Sequence, residues 1–129
     1  MAWTKTNLRN KQAHDTETYT LPASAVAGYS SVIDWVNVDR SNDHNWVSLK
    51  FHPTAITGTN LDIALYGSDT LAGTTKYLLK DAIVADLTAD DTVVCGNIDF
   101  NLYPSPYYFL AWTADVNESA NTIAVSVIH

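Results

Sequence analysis

The chain has 129 residues, of which 47% are apolar and only 16% charged, so it is sized for one domain with a real core and is short of the Glu, Lys and Arg that cover helix surfaces. Its net charge of −7 excludes binding to nucleic acid through a general positive field. One cysteine, Cys95, excludes an internal disulfide, and no apolar run approaches the length of a membrane-spanning helix.

Residues 1–20 show no strong period and read as an extended arm, leaving 21–129 as the single globular domain. The arm holds Lys5, Arg9 and Lys11 and, up to residue 12, no acid. Removing those three charges from the seven basic residues leaves four against fourteen acids, a body of −10. Trp3 supplies one large apolar anchor near the tip. The start of the chain is too polar for a signal peptide. Leu21–Gly28, with a Pro near its start and a Gly at its end, is predicted to form one helical turn.

A strand pattern starts near Ser31 and runs to Val38, followed by a polar turn over 39–45. Trp46–Phe51 alternates with Val47, Leu49 and Phe51 on one face, and Pro53 closes it. After the turn Thr57-Gly58-Thr59-Asn60, Leu61, Ile63 and Leu65 form the next inward face. Thr75–Leu79 is predicted as a short strand, whereas Ala82–Ala85 fits a strand or a helical turn equally. Thr92–Leu102 reads as one long strand bent at Gly96, with Ile98, Phe100 and Leu102 inward and Cys95 a small buried hydrophobe. Tyr107–Ala114 is apolar on both faces, which calls for cover on both sides. Thr122–His129 alternates again. Seven or eight short strands separated by turn residues predict an all-β protein: an antiparallel β-sandwich, jelly-roll-like.

One skeleton recurs. Asn60-Leu61-Asp62-Ile63-Ala64-Leu65-Tyr66-Gly67-Ser68 matches Asn97-Ile98-Asp99-Phe100-Asn101-Leu102-Tyr103-Pro104-Ser105. Two copies do not make a solenoid, and the likeness reads as two strands under one constraint.

Patterns that carry chemistry are missing. No glycine-rich phosphate loop, CxxC pair, HExxH or GxSxG occurs, and His14, His44, His52 and His129 share no metal-ligand spacing. Asp62 and Asp99 hold matching outward positions, but nothing else supports the two-carboxylate arrangement of a glycosidase. The oxygen-rich loop 39–45 lacks the spacing of a calcium loop and reads as Asx turns. Asn117-Glu118-Ser119 matches a glycosylation sequon. The expectation is a non-enzyme with no cofactor and no metal. Aromatic residues are the remaining candidates. Trp46, Tyr66 and Tyr103 on outward faces are placed to stack on sugar rings. Tyr107, Phe109 and Trp112, on the strand apolar on both faces, are candidates for a subunit interface, with a neighbouring subunit or a long loop as the cover.

The polar Met1–Tyr19 segment, the Thr/Asn/Ala/Val-rich body, the turns Gly58-Thr59-Asn60 and Tyr66-Gly67-Ser68-Asp69, and the ending Asn121-Thr122-Ile123-Ala124-Val125-Ser126-Val127-Ile128-His129 together resemble the small β-rich decoration and cement proteins of tailed-phage virions. The resemblance spans the chain and contains no diagnostic motif. It implies a structural protein of the virion that decorates or clamps a capsid lattice, partnered by the major capsid protein or another shell protein, commonly as a trimer. On that reading Trp3, Lys5, Arg9 and Lys11 form a partner-binding arm, and neither nucleic acid nor membrane is a partner. The alternative is a carbohydrate-binding or adhesive β-sandwich module.

Overall fold

In the computed structural model the described residues are 3–7, 13–24, 26–33, 46–87, 93–99 and 102–128, with backbone alone at 5–7, 13, 46 and 86. They form nine strands: β1 Thr4–Asn7, β2 Ala13–Thr20, β3 Gly28–Tyr29, β4 Trp46–Pro53, β5 Leu61–Ser68, β6 Lys76–Leu87, β7 Val94–Asp99, β8 Tyr107–Ala114 and β9 Thr122–Ile128. Two antiparallel sheets result, one in the order β1-β2-β9-β4-β7 and the other β3-β8-β5-β6. The protein is an all-β sandwich.

Period-two alternation explains which face each strand buries. Val47, Leu49 and Phe51 of β4 and Ile123, Val125 and Val127 of β9 line the inner face of the five-stranded sheet, all at most 2% exposed. Leu61, Ile63 and Leu65 of β5 and Tyr108, Leu110 and Trp112 of β8 line the inner face of the other. The Tyr19 ring meets Trp112 with centroids 4.9 Å apart, joining β2 to β8 across the sandwich. Each such side chain, buried in full, contributes about 1.5–3 kcal/mol, so these two faces supply most of the driving force for the fold.

The segment read as an extended arm is part of the sandwich. β1 and β2 pair as a hairpin, and β2 pairs with β9 over seven positions from His14↔Ile128 to Thr20↔Thr122. Tyr19 and Leu21 are core residues. The pattern hides this because β2 turns Asp15, half-buried Glu17 and Tyr19 towards the same side, placing two acids where a strand usually shows apolar residues. At Leu21–Gly28 no helix is formed among the described residues, but a single turn is closed by the Val26 N–H donating to the Ala23 carbonyl at 3.4 Å. The chain crosses there irregularly, and Leu21 N–H is bonded to the carbonyl of Asn121.

Four further differences bear on surfaces. β6 is one twelve-residue strand, whose irregular register against β5 and positive φ of 49° at Ala82 break the parity that alternation needs. β7 ends at Asp99, so Leu102 falls in a turn and is 69% exposed instead of buried. Cys95 is exposed, because its pairing with Lys50 places it on the outer face. Of the strand predicted over 31–38, Ile33 bridges Tyr108, while 34–38, the loop 39–45 and Phe100 lie outside the described residues.

Two acids fix the loops at one end. Glu118 is 1% exposed and accepts the backbone N–H groups of Thr57 and Gly58 and the side-chain amide of Asn121. Asp115 accepts N–H and O–H from Thr59 and N–H from Asn60. The Asn117 side chain of the sequon accepts the Ser119 N–H.

Candidate functional site

Where β6 and β7, the edge strands of the two sheets, run beside one another, a solvent-open cleft of about 450 Å³ is lined by Lys80, Asn97, Ile98, Asp99, Leu102 and Tyr103. Alternation on β7 accounts for half of it: Ile98 points inward and is 2% exposed, while Asn97 and Asp99 point out. Asn97 and Asp99 are two residues apart on one strand, about 7 Å along it. The turn after β7 supplies Leu102 and half-buried Tyr103, which packs against the core.

The turn carrying Tyr103 is tied down from below. The buried hydroxyl of Tyr108 donates to the Tyr103 carbonyl at 2.8 Å and accepts the Ser105 N–H at 3.1 Å. Ser105 Oγ lies 2.8 Å from the Tyr107 carbonyl and 2.8 Å from the Tyr77 hydroxyl. Pro104 and Pro106 add backbone stiffness. The Lys80 ammonium stands 5.9 Å from the centre of the Tyr103 ring, at the outer limit of a cation–π contact.

A second surface is the outer face of the four-stranded sheet. Tyr66 lies opposite Phe109 and Leu78 in register, and the Tyr29 ring meets the Tyr66 ring edge-on at 5.8 Å. Lys76 Nζ sits 4.4 Å from the Tyr29 centroid and 4.8 Å from that of Phe109 and donates to the Gly73 carbonyl. Gly73 has φ +65°, and a Cβ there would come within 2.6 Å of the Phe109 ring. The turn between β5 and β6 is therefore seated on Phe109 and supplies the cover that its strand requires. Tyr29 and Leu78 stay 39% and 51% exposed.

The sequence-derived candidates separate. Tyr66, Tyr107 and Phe109 share the outer face of the four-stranded sheet, and Phe109 is covered by its own chain. Trp112 is not an interface residue: its alternation with Thr113 turns it into the core, where it is 1% exposed. Trp3 is not a free anchor, since its Nε1 donates to the Val32 carbonyl at 3.2 Å and its ring packs edge-on against Tyr19. Lys5 lies on β1. Arg9, Lys11 and the side chains of Lys5 and Trp46 lie outside the described residues. Of the sugar-stacking candidates with described side chains, Tyr103 lines the cleft and Tyr66 does not. Asp62 and Asp99 sit on different sheets, on faces pointing away from each other, and do not flank one bond.

Lys80 and Asn97 were not singled out from the sequence. Asn97 carried a signal, the repeated Asn-x-Asp skeleton; Lys80 carried none, because it reaches the cleft from another strand. Among the described residues no group of three or more His, Cys, Asp or Glu side chains is placed to hold a metal ion, and no helix is long and apolar enough to cross a membrane. No protein-family model matches the chain, and no curated protein matches it in sequence.

Proposed function

We propose that the chain is a non-catalytic structural protein of a tailed-phage virion that decorates or clamps the capsid lattice. The strand order carries the reading. A β2-β9-β4-β7 sheet facing a β3-β8-β5-β6 sheet fits a jelly roll of two Greek keys, an architecture that viral capsid and lectin domains use. The low-charge, Thr-rich composition and the whole-chain resemblance point the same way. With Trp3 held by its own chain, docking falls to the faces of the sandwich. The outer face of the four-stranded sheet has the aromatic composition that interfaces favour, with Tyr29, Tyr66 and Leu78 in a row across it. In this reading that row meets a second copy or the shell protein. The trimeric state comes from the resemblance.

The test is co-sedimentation of the purified protein with capsids assembled from tailed-phage major capsid proteins. Saturable binding at a fixed ratio to the lattice is expected, and Tyr66→Ser combined with Leu78→Ser is expected to weaken it about tenfold or more. A folded protein that leaves every such shell undecorated overturns the reading.

A further inference from the structure

We propose that the cleft between β6 and β7 is a carbohydrate site that takes a neutral hexopyranose, with Tyr103 as its stacking wall and Asn97, Asp99 and Lys80 as its hydroxyl-binding groups. The inference stands apart from the shell reading, because it rests on a different surface.

The walls match the two-sided chemistry of a pyranose. One face of such a ring is a sheet of C–H groups, and its rim is a circle of hydroxyls. Ile98, Leu102 and Tyr103 give the cleft an apolar side, and an aromatic ring is the surface on which C–H faces stack. Asn97 and Asp99 leave β7 on its opposite, outward side. An amide both donates and accepts, a carboxylate accepts, and an ammonium donates three times, so together they serve hydroxyls, which do both. Among the described residues Lys80 is held by a long contact with the Tyr103 ring, which leaves its N–H donors able to turn to a ligand oxygen.

Size and charge narrow the class. The volume of about 450 Å³ falls within the roughly 300–1,000 Å³ typical of small-molecule sites. Lys80 and Asp99 offset each other within the cleft, and the whole chain carries −7, which disfavours phosphates and acidic glycans. Asp99 is the single carboxylate among the described lining residues, whereas glycoside hydrolysis commonly takes two, so the proposal is binding without turnover. The turn is already braced by Tyr108 and Ser105, so little ordering is left for the ligand to drive.

The experiment is a titration of the 15N-labelled full chain with the methyl glycosides of glucose, galactose, mannose and N-acetylglucosamine. At least one is expected to give saturable shifts at the amides of Asn97, Asp99 and Tyr103, with a dissociation constant of about 1 mM or tighter. Tyr103→Ala is expected to weaken that binding about tenfold, and Tyr103→Phe to keep it. Because Tyr103 also touches the core, Asn97→Ala, at an exposed position, is the second variant, expected to lose about fivefold at an unchanged melting temperature. No glycoside shifting these amides, shifts mapping to another surface, or wild-type affinity in Asn97→Ala overturns the proposal.

Discussion

The carboxylate of Glu118 accepts the backbone N–H of Gly58 at 2.9 Å, across 60 residues of sequence. Burial alone pushes its pKa up, but the bonds from Gly58, Thr57 and Asn121 outweigh that and hold it below its ordinary value of 4.5. A carboxyl with a depressed folded pKa contributes stability that is complete above the unfolded value and is lost as pH falls through the folded one.

The melting temperature is therefore expected to be insensitive to Glu118 between about pH 7 and 5 and to fall below that. Glu118→Gln is expected to cost about 1–3 kcal/mol at neutral pH, since the loop amides lose a charged acceptor. The gap between wild type and variant is expected to close on acidification. Asp115, which burial pushes up but the bonds from Thr59 and Asn60 together bring below its ordinary value, acts in the same direction. Thermal melts of both proteins across this range check it; a gap that stays constant with pH contradicts it.

Deleting residues 2–19 is expected to abolish cooperative folding. The deletion removes β1 and almost all of β2, strips the pairing from one edge of β9, and takes Tyr19 out of the core. Tyr19→Ala alone is expected to cost about 3–5 kcal/mol. Circular dichroism melts decide the point: a truncated chain that melts like the full chain shows that the hairpin is dispensable.

Ile63→Ala and Leu102→Ala form an informative pair. Both residues fit an inward period in the sequence, yet Ile63 is 0% exposed and Leu102 69%. The first substitution is expected to cost about 2–5 kcal/mol and the second less than about 0.5 kcal/mol, measured by denaturant unfolding. Equal costs would contradict the end of β7 at Asp99.

Cys95 is expected to react with a water-soluble thiol reagent in the folded protein, at a rate near that of the unfolded chain, because it is exposed on the outer face beside Lys50. Protection in the absence of denaturant, read by absorbance after mixing, would mean that this face is covered in solution.

What the sequence made legible follows from where alternation survives. β4, β5 and β9 each bury apolar residues at every second position, so their faces could be named in advance, whereas β8 is buried over consecutive residues and its inward side, Trp112 included, could not. β2 could not, because Asp15 and Glu17 occupy its inward positions. β6 could not, because the irregularity around Ala82 shifts its parity. β3 is two residues long and carries no period at all. The cleft was half legible: Tyr103 stood out as an aromatic after the Asn-x-Asp skeleton, but Lys80 joins it only once two sheets have packed.

The pairing scheme also governs how the chain reaches its fold. β5 pairs with β6, β4 with β7, β3 with β8 and β2 with β9, so the contacts are nested about the turn over 69–75. Of these four nested pairs the innermost closes the shortest loop, and the β1–β2 hairpin closes another outside the nest. Once the innermost pair forms, the chain left to span between β4 and β7 shrinks to the two connections flanking that pair, and each closure lowers the entropy that the next must overcome. The chain is thus built to zip outward from its middle, with its two terminal strands last, and φ-values are expected to be high at Leu65 and low at Tyr19 and Val125.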